Sequence, residues 1–237
     1  MMNPTIPNGA SLRNIKHTGL ALLALAMLWL AGQPGSRGPT VLPVQAVGLT
    51  RPQQSETQVN AWMGWMPASV SYRRSDIEQA ARNEGLPTEL VAVVALVESG
   101  GDPDAVSSAG ARGLMQIMPA TAREIQANTG LPCADQPFNP EVSIRCGASY
   151  LATVRKQTGA NDLADLGAGY NCGPGCLSSA LRQGSALPAE AVRYWHYVDG
   201  MTREWHSPQS QTFEAWMAAG GRVLVDRART KLGLSPG

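Results

Sequence analysis

The chain has 237 residues, 43% of them hydrophobic, and a formal net charge of +1 at pH 7. A chain of this length can bury one hydrophobic core and leave flanking segments at both ends. With so little net charge, no global electrostatic field draws the protein toward nucleic acid or anionic lipid. Composition therefore gives no support for nucleic-acid binding and favours a single globular domain.

The N-terminal segment has the pattern of an export signal. Arg13 and Lys16 precede an apolar run from residue 20 to Ala31, and small residues up to Ala46 offer a candidate cleavage site. The apolar run is shorter than the ~20 residues that a membrane-spanning helix needs. We therefore predict a signal peptide within residues 1–46. Cleavage nearer Ala31 and a retained N-terminal membrane anchor are the alternatives.

Residues 47–74 are predicted to form a linker, because much of this region is rich in Pro, Gln, Ser and Thr and lacks a core of its own. A short aromatic and thioether cluster lies near its end. The cluster either packs on the surface of the following domain or docks a partner protein. Its members are Trp62, Met63, Trp65 and Met66.

The rest of the chain predicts helices. Residues 75–78 have the pattern of a capping box, and Gly85 is expected to end that helix. Thr88 is expected to cap the next helix, and Asn139 followed by Pro140 predicts the start of a long one ending at Gly159. Later helices are predicted near residues 162–170, 176–183 and 189–205.

No apolar and polar alternation extends over the length of a strand, so β-structure should be limited to a small hairpin within residues 107–118. The predicted fold is mainly α, with a compact domain at 75–205. Residues 206–237 are predicted to form an amphipathic helix and a tail, because apolar residues recur there at spacings of three and four. Those residues are Phe213, Trp216, Met217, Gly220, Val223 and Leu224.

Glu98 is the strongest candidate for chemistry. An apolar helical run from residue 90 to Val97 brings its carboxylate to a helix end, where the chain turns through Gly100 and Gly101. Desolvation and the negative end of the helix dipole both disfavour the anion, which suits a general acid. The alternative is a Glu near the helix end that faces solvent.

Four separated segments of the sequence occur in the same order as the motifs of a known protein family. They are Glu98-Ser99, Gly113-Leu114-Met115-Gln116, Gly169-Tyr170-Asn171-Cys172-Gly173, and Pro188-Ala189-Glu190 with Tyr194. Together they resemble lytic transglycosylases with a soluble lytic transglycosylase (SLT) catalytic domain, which belong to the lysozyme-like superfamily. The resemblance covers about residues 75 to 200 and implies a compact lysozyme-like fold.

The resemblance implies cleavage of the β-1,4 bond between N-acetylmuramic acid and N-acetylglucosamine in peptidoglycan glycan strands, with 1,6-anhydromuramic ends. Glu98 would donate a proton and later accept one, while the N-acetyl group and the C6 hydroxyl of the sugar take part. Such a route needs no second carboxylate, and Asp102 and Asp104 are better explained by a turn. No cofactor or metal is expected, and the location would be periplasmic.

The substrate-binding candidates are Ser99, Ser107, Met115, Gln116, Tyr170, Asn171, Glu190 and Tyr194. The amides of Gln116 and Asn171 can both donate to and accept from sugar hydroxyls. Tyr170 offers an aromatic face, and its hydroxyl could bond Glu98 or the substrate. Met115 suits a cleft wall or the core equally well. Glu190 and Tyr194 share one helical face, as a cleft motif or as a surface pair.

Four cysteines lie inside the proposed domain: Cys133, Cys146, Cys172 and Cys176. Export would expose them to an oxidising compartment, so two disulfides are expected. Three connectivities are open, and pairing of nearest neighbours fits best because each pair spans a short loop or turn. Zinc is the rival explanation, but the chain lacks a paired Cys-x-x-Cys spacing.

Two other functions remain open at this point. A hydrolytic, lysozyme-type muramidase would use water instead of the C6 hydroxyl. A non-catalytic glycan-binding assembly protein would use the same cleft without cleavage. For the lytic transglycosylase, an envelope-spanning secretion or conjugation complex is a candidate partner.

Overall fold

The computed structural model describes Trp62 and residues 64–234. The predicted signal peptide, most of the predicted linker, Met63 and the last three residues lie outside the described residues. The described residues fall in one compact unit, Thr50–Gly237. In this part of the chain, no helix combines the length and apolar character needed to cross a membrane.

Helices make up most of the described chain, and a π-helical turn at Met217–Gly221 joins the last two. In chain order they are α1 Ala68–Ser71, α2 Arg74–Glu84, α3 Thr88–Ser99, α4 Pro119–Thr129, α5 Pro140–Thr158, α6 Leu163–Cys172, α7 Pro174–Gln183, α8 Ala189–Arg203, α9 Gln211–Trp216 and α10 Arg222–Leu232. Two isolated antiparallel bridges, Val106 to Arg112 and Arg112 to Ile117, form the small hairpin. The prediction of a mainly α fold with at most a small hairpin is confirmed.

Helix ends show which local signals were decisive. The Asn139 side chain accepts a hydrogen bond from the Val142 amide at 3.2 Å, so the predicted cap of α5 is confirmed. The predicted capping box at 75–78 is wrong, because α2 already begins at Arg74 and has no side-chain cap. The prediction for Thr88 is also wrong, because Pro87 occupies the cap position of α3.

The centre of the fold is α3. Every residue from Leu90 to Leu96 is fully buried, because α1, α2, α5, α6, α8 and α10 all pack against this helix. A helix that is apolar on all sides belongs in the interior. The C-terminal end of α3 is therefore held by neighbours from both ends of the described chain.

The aromatic cluster before the domain packs onto residues near the C-terminus. The ring of Trp62 meets Trp205 edge-on at 5.2 Å between centroids, and Trp65 lies 5.5 Å from Phe213. Trp65 and Met66 are buried, which favours packing over partner docking for these residues. The hydrophobic core thus includes residues on both sides of the predicted 75–205 boundaries.

The C-terminal amphipathic pattern forms two helices instead of one. The helical geometry breaks at Gly220, whose φ is +125°, a value that glycine adopts without steric cost. Phe213, Trp216 and Val225 are nevertheless buried, so both helices contribute to the core.

Both predicted disulfides are present. Cys133 is bonded to Cys146, which ties the loop before α5 to that helix, and Cys172 is bonded to Cys176 across the junction of α6 and α7. The prediction of nearest-neighbour pairing is confirmed. Within the described residues, no cysteine is left free.

Gly101 should be the less replaceable of two glycines with similar backbone geometry. Gly101 has φ +92° and Gly110 has φ +88°, but a Cβ on Gly101 would overlap the Ser69 carbonyl whereas one on Gly110 would meet no atom within 4 Å. We expect Gly110→Ala to lower the free energy of unfolding by about 1 kcal/mol and Gly101→Ala by about 3 kcal/mol or more. Urea unfolding measures both, and equal losses would contradict the packing argument.

Candidate active site

Glu98 lies in the last turn of α3, half-buried, just before Ser99 ends the helix. The Tyr194 hydroxyl on α8 donates a hydrogen bond to Glu98 Oε1 at 2.9 Å. Burial raises the pKa of Glu98 from 4.5 to about 8; the bond from Tyr194 opposes this rise and the negative charge of Glu190 adds to it. Desolvation outweighs the single hydrogen bond to the anion, so the carboxyl group is mostly protonated at neutral pH.

Ser99 joins the end of α3 to the turn that faces it. Its hydroxyl donates to the Leu114 carbonyl at 2.7 Å and accepts from the Gly101 amide at 3.1 Å. The side chain is buried, so its observed role is to fix the distance between the end of α3 and the Gly113–Gln116 turn.

The Gly113–Gln116 turn is held by its own backbone and by α5. Gln116 has φ +48°, and its Nε2 donates to the carbonyls of Gly113 at 2.8 Å and Ala105 at 3.1 Å. A left-handed residue with a large side chain is strained, and these two bonds compensate for that strain. The Gln116 side chain thereby braces the turn.

Met115 lies in the core. Its side chain is fully buried against Gly147, where any larger residue would collide with it, and its amide donates to the Ser143 hydroxyl at 3.0 Å. Of the two predicted roles for Met115, the structure favours packing over a cleft wall. Sequence reasoning missed Ser143 because a lone serine in a helix carries no signal of a distant backbone partner.

The hydroxyl group that bonds Glu98 belongs to Tyr194, whereas the sequence suggested Tyr170 for this bond. The Tyr170 hydroxyl donates to the Met115 carbonyl at 2.7 Å and not to Glu98, which is bonded by Tyr194. Burial first, and then the charge of Glu98, raise the pKa of Tyr170 well above its ordinary value. The same two causes raise the pKa of Tyr194, so both phenols remain neutral donors.

The remaining candidates lie further out. Glu190 is exposed in the first turn of α8, and Asn171 is half-buried beside Tyr170. The Ser107 hydroxyl accepts from the Ala111 amide at 3.0 Å and so shapes the hairpin turn. The structure brings Glu98, Ser99, Tyr170 and Tyr194 together with the Gly113–Gln116 turn, whereas Ser107 is engaged in its own loop.

Two other carboxylates near Glu98 in sequence have a different partner. Lys231 Nζ lies 3.4 Å from Asp102 Oδ1 and 3.9 Å from Asp104 Oδ2. Asp102 is fully buried and also accepts the Asp104 amide at 2.9 Å. These groups stabilise the turn after α3 and its contact with α10. Among the described residues, no group of three or more His, Cys, Asp or Glu could hold a metal ion.

Replacing Glu98 with Gln should stabilise the protein in a pH-dependent way. The pKa of Glu98 is raised from 4.5 to about 8 in the folded state, so the folded protein loses stability as pH rises through this window. The free energy of unfolding of Glu98→Gln should therefore exceed that of wild type by an amount that grows from pH 4.5 to about 8. Denaturant unfolding across this range measures it.

The exposed Glu214→Gln variant is the control for loss of one carboxylate. It should follow the pH dependence of wild type. A constant difference between Glu98→Gln and wild type across the window would contradict the raised pKa.

Known proteins resemble this chain over part of its length. Residues 75–192 match the family model described as the transglycosylase SLT domain. The endo-type membrane-bound lytic murein transglycosylase A of Klebsiella pneumoniae is 36% identical over 107 residues, which are 44% of this chain and 49% of that protein. The protein of the same name from Salmonella paratyphi B is 35% identical over 107 residues, with the same coverage.

Among solved structures, an inactive mutant of the lytic transglycosylase Slt from Pseudomonas aeruginosa aligns with 28% identity and a TM-score of 0.44, covering 69% of this chain and 25% of that one. The chain spans about half the length of the curated relatives it matches. Through residues 75–192, the chain belongs to the transglycosylase SLT domain family.

Proposed function

We propose that this protein is a peptidoglycan lytic transglycosylase. It cleaves the β-1,4 bond between N-acetylmuramic acid and N-acetylglucosamine and leaves 1,6-anhydromuramic ends. The observation that carries the proposal is Glu98, whose pKa of about 8 keeps it protonated at neutral pH while Tyr194 holds its orientation. The relatives named as lytic murein transglycosylases support the same substrate.

Glu98 acts first as an acid and then as a base. It donates its proton to the glycosidic oxygen of the leaving N-acetylglucosamine as the bond to C1 of the muramic ring breaks. The resulting carboxylate accepts the proton of the C6 hydroxyl as that oxygen bonds to C1, which restores the acid. A pKa near the working pH suits both steps. The hydrogen bond from Tyr194 stabilises the carboxylate between them.

The placement of the other carboxylates favours participation by the substrate itself. Two-carboxylate glycosidases need a second group on the opposite side of the scissile bond. Asp102 and Asp104 are paired with Lys231, and Glu190 is exposed on α8. The N-acetyl group and the C6 hydroxyl would therefore supply what a second carboxylate supplies elsewhere. A hydrolytic muramidase and a non-catalytic glycan-binding protein remain the alternatives.

The remaining roles belong to the same proposal. The side-chain amides of Asn171 and Gln116 contact sugar hydroxyls or acetamido groups. Tyr170 and Glu190 contribute to the cleft. Ser99 positions Glu98. The N-terminal sequence pattern supports export to the periplasm, by a cleaved signal peptide or with a retained anchor. The small domain and its additional flanks support a further part of the proposal, that the enzyme acts together with an envelope-spanning secretion or conjugation complex.

Product analysis tests the reaction. Purified peptidoglycan incubated with the protein should release anhydromuropeptides, detected by mass spectrometry, and Glu98→Gln should reduce their yield at least about a thousandfold because the only proposed proton donor is lost. Asp104→Asn is the matched control, since its carboxylate is exposed and faces Lys231, and it should retain activity.

Each other result has a defined meaning. Reducing ends in place of anhydro ends would establish hydrolysis. If neither wild type nor Glu98→Gln releases product and both still bind glycan, the result would support the binding role instead.

The pH dependence of kcat/KM should shift in opposite directions when two neighbours of Glu98 are replaced. Tyr194→Phe removes a hydrogen bond that lowers the pKa of Glu98, so the alkaline fall of kcat/KM should move above pH 8. Glu190→Gln removes a negative charge that raises this pKa, so the fall should move below pH 8. Rates on soluble glycan fragments measure both profiles. Shifts in the same direction, or none, would mean that Glu98 does not control the profile.

A further inference from the structure

A pocket lies between the hairpin, α4 and the first disulfide, and Glu98 is not among its lining residues. Its floor is apolar: Ile117, Ala122 and the Cys133–Cys146 bridge all line it and are buried. Arg112 and Arg123 line the same pocket and are exposed. An apolar floor with two cations at the rim suits a ligand that is partly aliphatic and carries negative charge.

The two arginines differ from others in the protein. Arg74 and Arg203 pair with carboxylates on their own helices at 2.7 and 2.6 Å, and Arg155 donates to two carbonyls at the end of α2. Within the described residues, no hydrogen bond or ion pair involves the guanidinium group of Arg112 or of Arg123. Two guanidinium groups without protein partners at one pocket create a local positive potential that net charge conceals.

Among the described residues, no carboxylate forms an ion pair with either guanidinium group. The acidic residues next to the pocket in sequence, Glu124 and Asp135, are not among its lining residues, and Asp135 accepts a hydrogen bond from Gln126 on α4 at 2.7 Å. Pro119, the first residue of α4, also lines the pocket, so the positive end of that helix dipole adds to the arginine charges. A guanidinium is well suited to bind a carboxylate through two parallel hydrogen bonds.

The pocket shares a backbone turn with the candidate active site. Arg112 and Ile117 exchange backbone hydrogen bonds of 3.1 Å in both directions, and the Gly113–Gln116 turn lies between them. That turn bonds Ser99 and Tyr170 through the carbonyls of Leu114 and Met115. Two lining residues of the pocket, Arg112 and Ile117, therefore flank the turn that contacts Ser99.

We propose that the pocket between Arg112 and Arg123 binds the short carboxylate-bearing peptides that peptidoglycan carries on its muramic acid residues. This inference rests on the proposed function, which brings such strands to Glu98. The arginines bind peptide carboxylates, and the apolar floor accepts small aliphatic side chains such as alanine. The pocket thereby makes the enzyme prefer strands that carry peptides over bare glycan.

Direct binding tests the pocket without requiring catalysis. The full chain with Glu98→Gln is titrated with a synthetic stem pentapeptide, and binding is measured by calorimetry. Arg112→Gln and Arg123→Gln should each weaken binding about tenfold, because each removes a charge-assisted hydrogen bond. Arg182→Gln is the matched control, since Arg182 is exposed on α7 and lines no part of this pocket. It should leave binding unchanged.

Three binding results would each overturn the proposal. The first is no binding of the pentapeptide at about 10 mM. The second is that Arg182→Gln weakens binding as much as the pocket variants do. The third is that inorganic phosphate binds at the same arginines as tightly as the pentapeptide, which would indicate a general anion site. Because Glu98→Gln is used throughout, these results do not depend on whether the protein cleaves glycan.

Cleavage rates then test the consequence. Peptide-bearing strands are compared with strands from which an amidase has removed the peptides, using protein with Glu98 intact. Arg112→Gln with Arg123→Gln should lower kcat/KM on peptide-bearing strands about tenfold or more and leave the rate on bare strands unchanged. Equal losses on both substrates would overturn the proposal. Absence of cleavage by wild type on either substrate would refute the proposed function, while the binding result would still stand or fall alone.

Discussion

The structure depends on the burial of α3 on all sides. Residues 90 to 96 of this helix are fully buried, so no side of that stretch faces solvent. A carboxylate in the next turn of the helix is therefore partly desolvated, which disfavours its anion. Glu98 is therefore only half exposed at best, and the cost of desolvating its anion exceeds the gain from the Tyr194 hydrogen bond. The same packing that forms the core thus raises the pKa of Glu98.

Close backbone contacts hold this helix end in place. A side chain on Gly100 would collide with the backbone of Leu224 and Val225 in α10, and one on Gly101 with the backbone of Ser69 in α1. The Ser69 hydroxyl also donates to the Gly100 carbonyl at 2.6 Å. Segments before and after the matched SLT domain therefore pack directly on the turn that follows Glu98. They therefore help to fix the position of Glu98.

Some local signals in the sequence predicted local features correctly, whereas contacts between distant residues were not predicted. Asn139 followed by Pro140 specified a helix start because both effects act within one turn, and the setting of Glu98 followed from the apolar residues just before it. The Tyr194 bond joins residues 96 positions apart, and its identity depends on how α8 packs against α3. The sequence placed two tyrosines near the cleft, but only the packing decides which of them bonds Glu98. Likewise, the capping box at 75–78 failed because α1 leads directly into α2, so the chain is already turning when it reaches Ser75.

The Gly113–Gln116 turn connects α3 and α6, and one of its residues has a strained backbone. Gln116 adopts a left-handed conformation that the protein stabilises with two side-chain bonds. In return, the turn directs the carbonyls of Leu114 and Met115 toward Ser99 and Tyr170, whose hydroxyls both donate to it. A simple unstrained hairpin would direct those carbonyls along the ladder to other backbone amides, and α3 and α6 would lose their common anchor. The cost of one strained residue is thus offset by hydrogen bonds that fix this turn relative to the end of α3 that carries Glu98.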